Sequence, residues 1–384
     1  MRRVVAFILL GAAVAAQAFV PAATEARSVP YGFVGMNMGR DEADEPAWSQ
    51  PELALMARSG VESLRAAVYW SRLQPAPGRL ELGPLDALVV AAARNGITVL
   101  PTVLGAPGWA ELPGRGPELQ GRIGGRLLRV YKVGVPRDPA DYGRFLAVLA
   151  ARYGPRGSIW AQNPRLLRRP IREWQVWNEP DLPQFWTPRF APSYVRLLRA
   201  ARVALRAVDP GARIVLAGLA TNIVGGVVRT TWRSLQEIYD AGGRGLFDAV
   251  SVHPYSESVG NMVLTLRRVR EIMRRAGDSR VPLAITEFGW SSRFGARGAR
   301  RQSALVADSF ARLAALRRRL RIESAYWYMW SSPDSGHNLF QYTGLRRQGP
   351  HGMTSKPAMA ALRRVALELE GCDAKARADR CLSS

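Results

Sequence analysis

Short apolar runs rich in β-branched and aromatic residues alternate along the chain with longer stretches of helical periodicity. The runs predict strands over Phe33–Asn37, Ser63–Trp70, Ile97–Leu104, Glu173–Asn178, Arg213–Leu219, Ala249–Tyr255, Leu283–Phe288 and Ser324–Trp330. Their near-continuous apolar character is what a strand buried on both faces requires. Helices are expected between them, over Pro51–Ser59, Leu85–Asn95, Tyr142–Tyr153, Ser193–Val208, Trp232–Ala241, Val263–Ala276, Arg301–Leu320 and Ala358–Leu369, with Asp141 and Ser193 as N-caps. Strand then helix, eight times over, predicts an α/β fold, the closed (β/α)8 TIM barrel. An open doubly wound sheet is the alternative. It would carry a Gly-rich nucleotide loop after its first strand, and Gly35-Met36-Asn37-Met38-Gly39 does not match one.

Two connections exceed what a barrel needs: 105–139 and 155–172. Long loops in compact domains tend to be functional. The first follows strand three, so it is expected to extend from the C-terminal face, where barrel active sites are built. No repeat of solenoid length and no linker divides the chain, so residues 27–384 read as one domain.

Residues 1–26 read as an export signal. Arg2 and Arg3 precede an uncharged run from Val4 to Val20, and small residues follow. The run is long for a cleaved signal, which leaves two readings: a removed signal on a secreted or envelope protein, or an uncleaved membrane anchor. Cys372 and Cys381 fit an oxidising compartment, where a disulfide would tie down the tail.

Charge changes the list of partners. The 384 residues carry a formal net charge of +23, and only Lys132, Lys356 and Lys375 among the 54 basic residues are lysines. The arginines are spread along the chain, as in Arg274-Arg275 and Arg317-Arg318-Arg319, which suits solvated helix faces. No nucleic-acid module accompanies them, so nucleic acid is not the expected partner. An anionic partner, such as an acidic polysaccharide or a membrane surface, stays open. The three histidines, His253, His337 and His351, are too few for a His-rich metal site.

The candidate chemistry lies at two strand ends. In Trp174-Gln175-Val176-Trp177-Asn178-Glu179-Pro180-Asp181 a carboxylate sits where an apolar run meets a Pro-marked loop. Partial desolvation there favours the protonated carboxylic acid, the form that donates a proton. Asn178 beside it can donate to and accept from a sugar hydroxyl. Strict alternation points Asn178 and Glu179 to opposite faces, so both reach one site only if the strand end is irregular. The bland alternative is a surface Glu179 with Asn178 capping a turn. In Leu283-Ala284-Ile285-Thr286-Glu287-Phe288-Gly289-Trp290 a second glutamate ends a strand. These are strands four and seven of the eight. Paired carboxylates are what glycosidic cleavage needs.

On these two motifs, 108 residues apart, the chain resembles glycoside hydrolase clan A, most of all family 39 and related bacterial polysaccharide glycosidases. The resemblance implies Glu179 as general acid/base and Glu287 as nucleophile in a retaining hydrolysis of an oligo- or polysaccharide, with no metal or organic cofactor. It implies Arg65 beside the nucleophile, lowering its pKa, or else a buried Arg serving backbone carbonyls. Tyr255 resembles the tyrosine that bonds the nucleophile. His253 shares its parity and either binds a sugar hydroxyl or fills the core. Trp330 resembles an aromatic floor under the sugar, against plain barrel packing. Asn37 and Trp109 are weaker candidates for cleft walls. Pro101-Thr102-Val103-Leu104-Gly105 lacks the polar sugar-binding residue that some clan members carry at the end of strand three. Two other functions share these residues: a non-catalytic carbohydrate-binding barrel, and a transglycosylase.

Overall fold

The computed structural model describes residues 27–38, 49–113, 118–123, 126–131, 133–187, 189–224 and 227–372. Eight parallel strands form the barrel: β1 (Val34–Asn37), β2 (Ser63–Tyr69), β3 (Thr98–Leu104), β4 (Glu173–Val176), β5 (Arg213–Val215), β6 (Val250–His253), β7 (Leu283–Phe288) and β8 (Ile322–Trp327). Pairing runs β5–β4–β3–β2–β1–β8–β7–β6. The chain after β5 closes the circle. Val215 bridges Ala249, and the short strand Leu219–Ala220 pairs in parallel with Val252 and His253 of β6. The expected fold class stands, with every predicted strand present.

Each strand feeds a helix: α1 (Gln50–Arg58), α2 (Gly83–Arg94), α3 (Pro139–Tyr153), α4 (Phe190–Val208), α5 (Thr231–Asp240), α6 (Val259–Arg275), α7 (Gly295–Leu320) and α8 (Pro357–Leu369). Their apolar stripes seal the outer faces of the strands. Two caps differ from expectation. Asp138, not Asp141, caps α3 by accepting from the Ala140 amide at 2.9 Å. Ser193 lies inside α4, where its hydroxyl donates to the Phe190 carbonyl and accepts from the Trp186 indole.

Packing fixes the strand ends that carry the glutamates. The Tyr194 hydroxyl of α4 donates to the Val176 carbonyl at 2.7 Å and accepts from the Ala217 amide at 2.8 Å, clamping β4 to the chain beyond β5. Tyr142 of α3 donates to the Val103 carbonyl at 2.8 Å. Around these phenols, Trp70, Phe145, Trp177 and Trp186 interlock, with Trp70 stacked on Phe145 at 5.5 Å.

The long β3–α3 connection contains an antiparallel hairpin, Glu118–Ile123 with Arg126–Tyr131. The other long connection contains the helix Ser158–Gln162. It precedes β4, so it lies at the opposite, N-terminal face of the barrel. The β8–α8 connection carries a small three-stranded sheet, Ser331–Ser332, Arg346–Gly349 and Gly352–Ser355. The signal-like residues 1–26 and Cys381 lie outside the described residues. Among the described residues no helix is long and apolar enough to cross a membrane.

Candidate active site

β4 leaves the ladder after Val176, two residues earlier than the apolar pattern predicts. Trp177 has φ +76° and Glu179 φ +41°, both left-handed. Such values are uncommon outside glycine and cost about 1–3 kcal/mol each when surrounding structure enforces them. The enforcement is visible. The Trp177 amide donates to Val103, the Glu179 amide donates to Gly218, and the Trp177 indole donates to Phe185. This irregularity breaks strict alternation, so Asn178 and Glu179 both enter the mouth of the barrel.

Arg65 of β2 is the hub. Its Nε donates to Gln175 Oε1 at 2.6 Å, Nη1 to Asn37 Oδ1 and to Glu287 Oε1 at 2.7 Å each, and Nη2 to Asn178 Oδ1 at 2.7 Å. Among the described residues every partner is a side chain, so Arg65 serves the site and not backbone carbonyls. Glu287, on β7, also accepts from the Tyr255 hydroxyl at 2.9 Å. Burial raises the Glu287 carboxyl. The nearby His253 ring, Arg65 and the Tyr255 hydrogen bond outweigh burial and hold it below its ordinary value. Burial, with the Glu287 charge, pushes Tyr255 well above the ordinary phenol range, so it stays a donor.

His253 ends β6 between the two carboxylates. Nδ1 lies 2.8 Å from Glu179 Oε1 and 3.6 Å from Glu287 Oε2, and Nε2 lies 3.0 Å from Thr286 Oγ1. The ring fits because residue 218 is glycine: a Cβ there would stand 1.9 Å from Nε2. One oxygen of Glu179, one nitrogen of His253 and one oxygen of Glu287 lie within 4.8 Å of one another. These three atoms would also suit a metal ion. Against that use, the Arg65 cation already neutralises Glu287.

Beneath the carboxylates runs a polar layer that the motifs do not reveal. Gln175 accepts from Thr102 at 2.7 Å and donates to Ser251 at 2.9 Å, and Ser251 bonds Thr286. All four are buried. Their one sequence signal is a polar residue at an inward position of an otherwise apolar strand. Asp181, two residues beyond Glu179, is also buried and accepts from Ser234 at 2.8 Å. Burial pushes it up to about 7.

Three weaker candidates take other places. Asn37 spends its amide inside the protein: Oδ1 on Arg65, Nδ2 on the Thr286 carbonyl at 2.9 Å. It orients Arg65 and is not a cleft wall. Trp330 is fully buried, and its indole donates to Glu52 at 2.7 Å. β8 leaves its ladder at Trp327, so alternation does not carry through to Trp330, which packs rather than offering a face to a sugar. Trp109, half-buried, stands edge-on to Trp70 at 5.5 Å and donates to the Gln74 carbonyl. The aromatic residues packed around Tyr255 are Tyr328 and Phe340. Phe340 lies 5.0 Å from the Tyr255 ring and 5.8 Å from Tyr328.

No family model matches the chain, and no curated protein matches it in sequence. Solved structures match its fold. A family 39 glycoside hydrolase from Bacteroides cellulosilyticus superposes with TM-score 0.61 at 20% identity, covering 88% of this chain and 64% of that one. A monomeric β-xylosidase from Caulobacter crescentus gives 0.61 at 19%, covering 89% and 69%. The family 39 enzyme from Xanthomonas axonopodis pv. citri gives 0.62 at 19%, covering 89% and 68%. The chain thus spans just under two thirds of the first neighbour's length. The expected resemblance to family 39 and its clan is met in the fold.

Proposed function

We propose that the protein is a retaining glycoside hydrolase that cleaves O-glycosidic bonds of an extracellular oligo- or polysaccharide by double displacement. The observation that carries this reading is the convergence of Glu179 and Glu287 at one mouth of the barrel, with an oxygen of each within 4.8 Å. Carboxyl groups about 5–5.5 Å apart suit a nucleophile with its acid/base; inverting pairs stand wider to admit a water.

Glu287, held ionised by Arg65 and Tyr255, attacks the anomeric carbon. The bond to the leaving oxygen breaks, and that oxygen takes the proton from Glu179. In the second step Glu179 takes a proton from water, the water oxygen bonds the anomeric carbon, and the Glu287 carboxylate departs. His253 serves both charge states of Glu179. It donates from Nδ1 to Glu179 Oε1 in either state, which leaves Oε2 to carry the proton or release it. The Thr286 hydroxyl, bonded in turn to Ser251, steadies the ring at Nε2. Asn178 Nδ2 lies 3.5 Å from Glu179 Oε2 and suits a sugar hydroxyl.

The excess of positive charge suits an acidic glycan. Of the arginines in the β3–α3 connection, Arg115 lies outside the described residues, and the side chains of Arg122, Arg126 and Arg129 are not described. The test is a panel of aryl glycosides with Glu287→Ala, together with a mechanism-based fluorosugar. Turnover should vanish in the variant, and the fluorosugar should label Glu287 of the parent. Near-normal hydrolysis by the variant, or no covalent label, ends the reading. A non-catalytic binder would carry no label, and added acceptor sugar would expose a transglycosylase by its products.

A further inference from the structure

A rim of aromatic and cationic side chains leads away from the catalytic pair. It starts at Tyr255, whose hydroxyl holds Glu287, and passes to Phe340 at 5.0 Å. Phe340 shares the 3-10 helix Leu339–Tyr342 with Tyr342. The Arg293 guanidinium, from the β7–α7 connection, lies 5.8 Å from the ring centres of both Tyr342 and Phe294.

The two connections are fastened together. The Tyr342 carbonyl accepts from the Ser292 amide and from Lys356 Nζ, both at 3.0 Å. Lys356, buried at the start of α8, also donates to Ser292 at 2.8 Å and to Asp334 at 3.0 Å. A firm base therefore carries an apolar crest. Phe294 is 79% exposed and Leu339 53%.

Phe294 stands out twice. It is a large apolar side chain in water, and its backbone is left-handed at φ +80°. For a bulky residue that value is an outlier, since glycine or asparagine would hold the turn at less cost. The ring meets the adjacent Arg293, and the turn itself favours glycine over phenylalanine. Strain retained in an exposed aromatic points to a contact made outside the protein.

On the glycosidase reading above, we propose that Phe294, Arg293 and Tyr342 form a second sugar-binding subsite, which seats a further unit of an oligosaccharide chain whose reacting unit lies between Glu179 and Glu287. The ring faces suit the C–H faces of a sugar. Arg293 gives one of its five N–H donors to the His337 carbonyl, at 3.2 Å, and the rest of the fork suits sugar oxygens. Phe340, packed on Tyr255, and Tyr342, beside Arg293, share one short helix, which links the crest to the catalytic mouth.

The probe is an immobilised array of neutral and uronate-bearing oligosaccharides of graded chain length, read with the full chain carrying Glu287→Ala to prevent cleavage. Longer chains should be retained better than single sugars. Adding Phe294→Gly should weaken retention of the longer chains by about three- to tenfold, the value of one aromatic contact. Glycine relieves the left-handed backbone, so the melting temperature should stay level or rise, which separates lost binding from misfolding. Equal retention with and without Phe294, or no gain from chain length, overturns the subsite. Fluorosugar labelling of a protein with Glu287 intact keeps the two ideas apart. Label with no dependence on chain length removes the rim alone, whereas failure to label removes the catalytic reading beneath it.

Discussion

Glu287 shows how a few polar contacts set the state of one group. Burial by itself favours its neutral form; the His253 ring, Arg65 and Tyr255 together reverse that outcome. The carboxylate form is therefore retained as pH falls past the ordinary Glu value of about 4.3, and the acid limb of kcat/KM should lie below it. Tyr255→Phe deletes one hydrogen bond to the charged form. A bond of that kind is worth about 1.5–3 kcal/mol, so the acid limb should move up by about one to two pH units. A pH–rate profile checks this, and an unmoved limb would mean that Tyr255 does not support the anion. Tyr255 and Arg65 are legible in the sequence through the resemblance to clan A, which implies both beside the nucleophile. Trp330 takes the packing alternative: it is fully buried and its indole donates to Glu52.

The strand ends decide what the residues do. β4 delivers two adjacent side chains to one mouth only through the left-handed backbone at Trp177 and Glu179. A sequence of ordinary residues gives no sign of such a turn, since neither position is glycine. The opposite case is Gly218, where the lack of a side chain admits the His253 ring. Gly218→Ala should push that ring off Glu179 and cost about 1–3 kcal/mol of stability, as overpacking does. Thermal unfolding and kcat/KM should both fall; a variant that melts and turns over like the parent would show that His253 has room to spare.

Across the whole barrel, the chemistry at the C-terminal mouth is matched by buried acids elsewhere. Glu370, just beyond α8, packs beside Glu62, and burial pushes it up to about 8. Glu323, on β8, is pushed up to about 7 by burial and by Glu173. Each binds its proton more tightly folded than unfolded. Their contribution is therefore present at low pH and is lost as pH rises from the unfolded value, about 4.3, through the folded one. Melting temperature should decline from about pH 5 to 8. Glu370→Gln should flatten that decline, and an unchanged slope would remove Glu370 from the account.

The sequence alone determined the architecture and the mouth that carries the chemistry. Eight doubly buried strands have one economical closure, and a glutamate at the end of a parallel strand must lie at the C-terminal face whatever its neighbours are. Only the tertiary structure decided which side chains meet there. His253 against Glu179, the polar layer under Thr286 and the crest at Phe294 all join residues far apart in the chain. Such contacts depend on register between strands and on φ values that residue type does not specify, so a local pattern can mark an inward polar residue but not its partner.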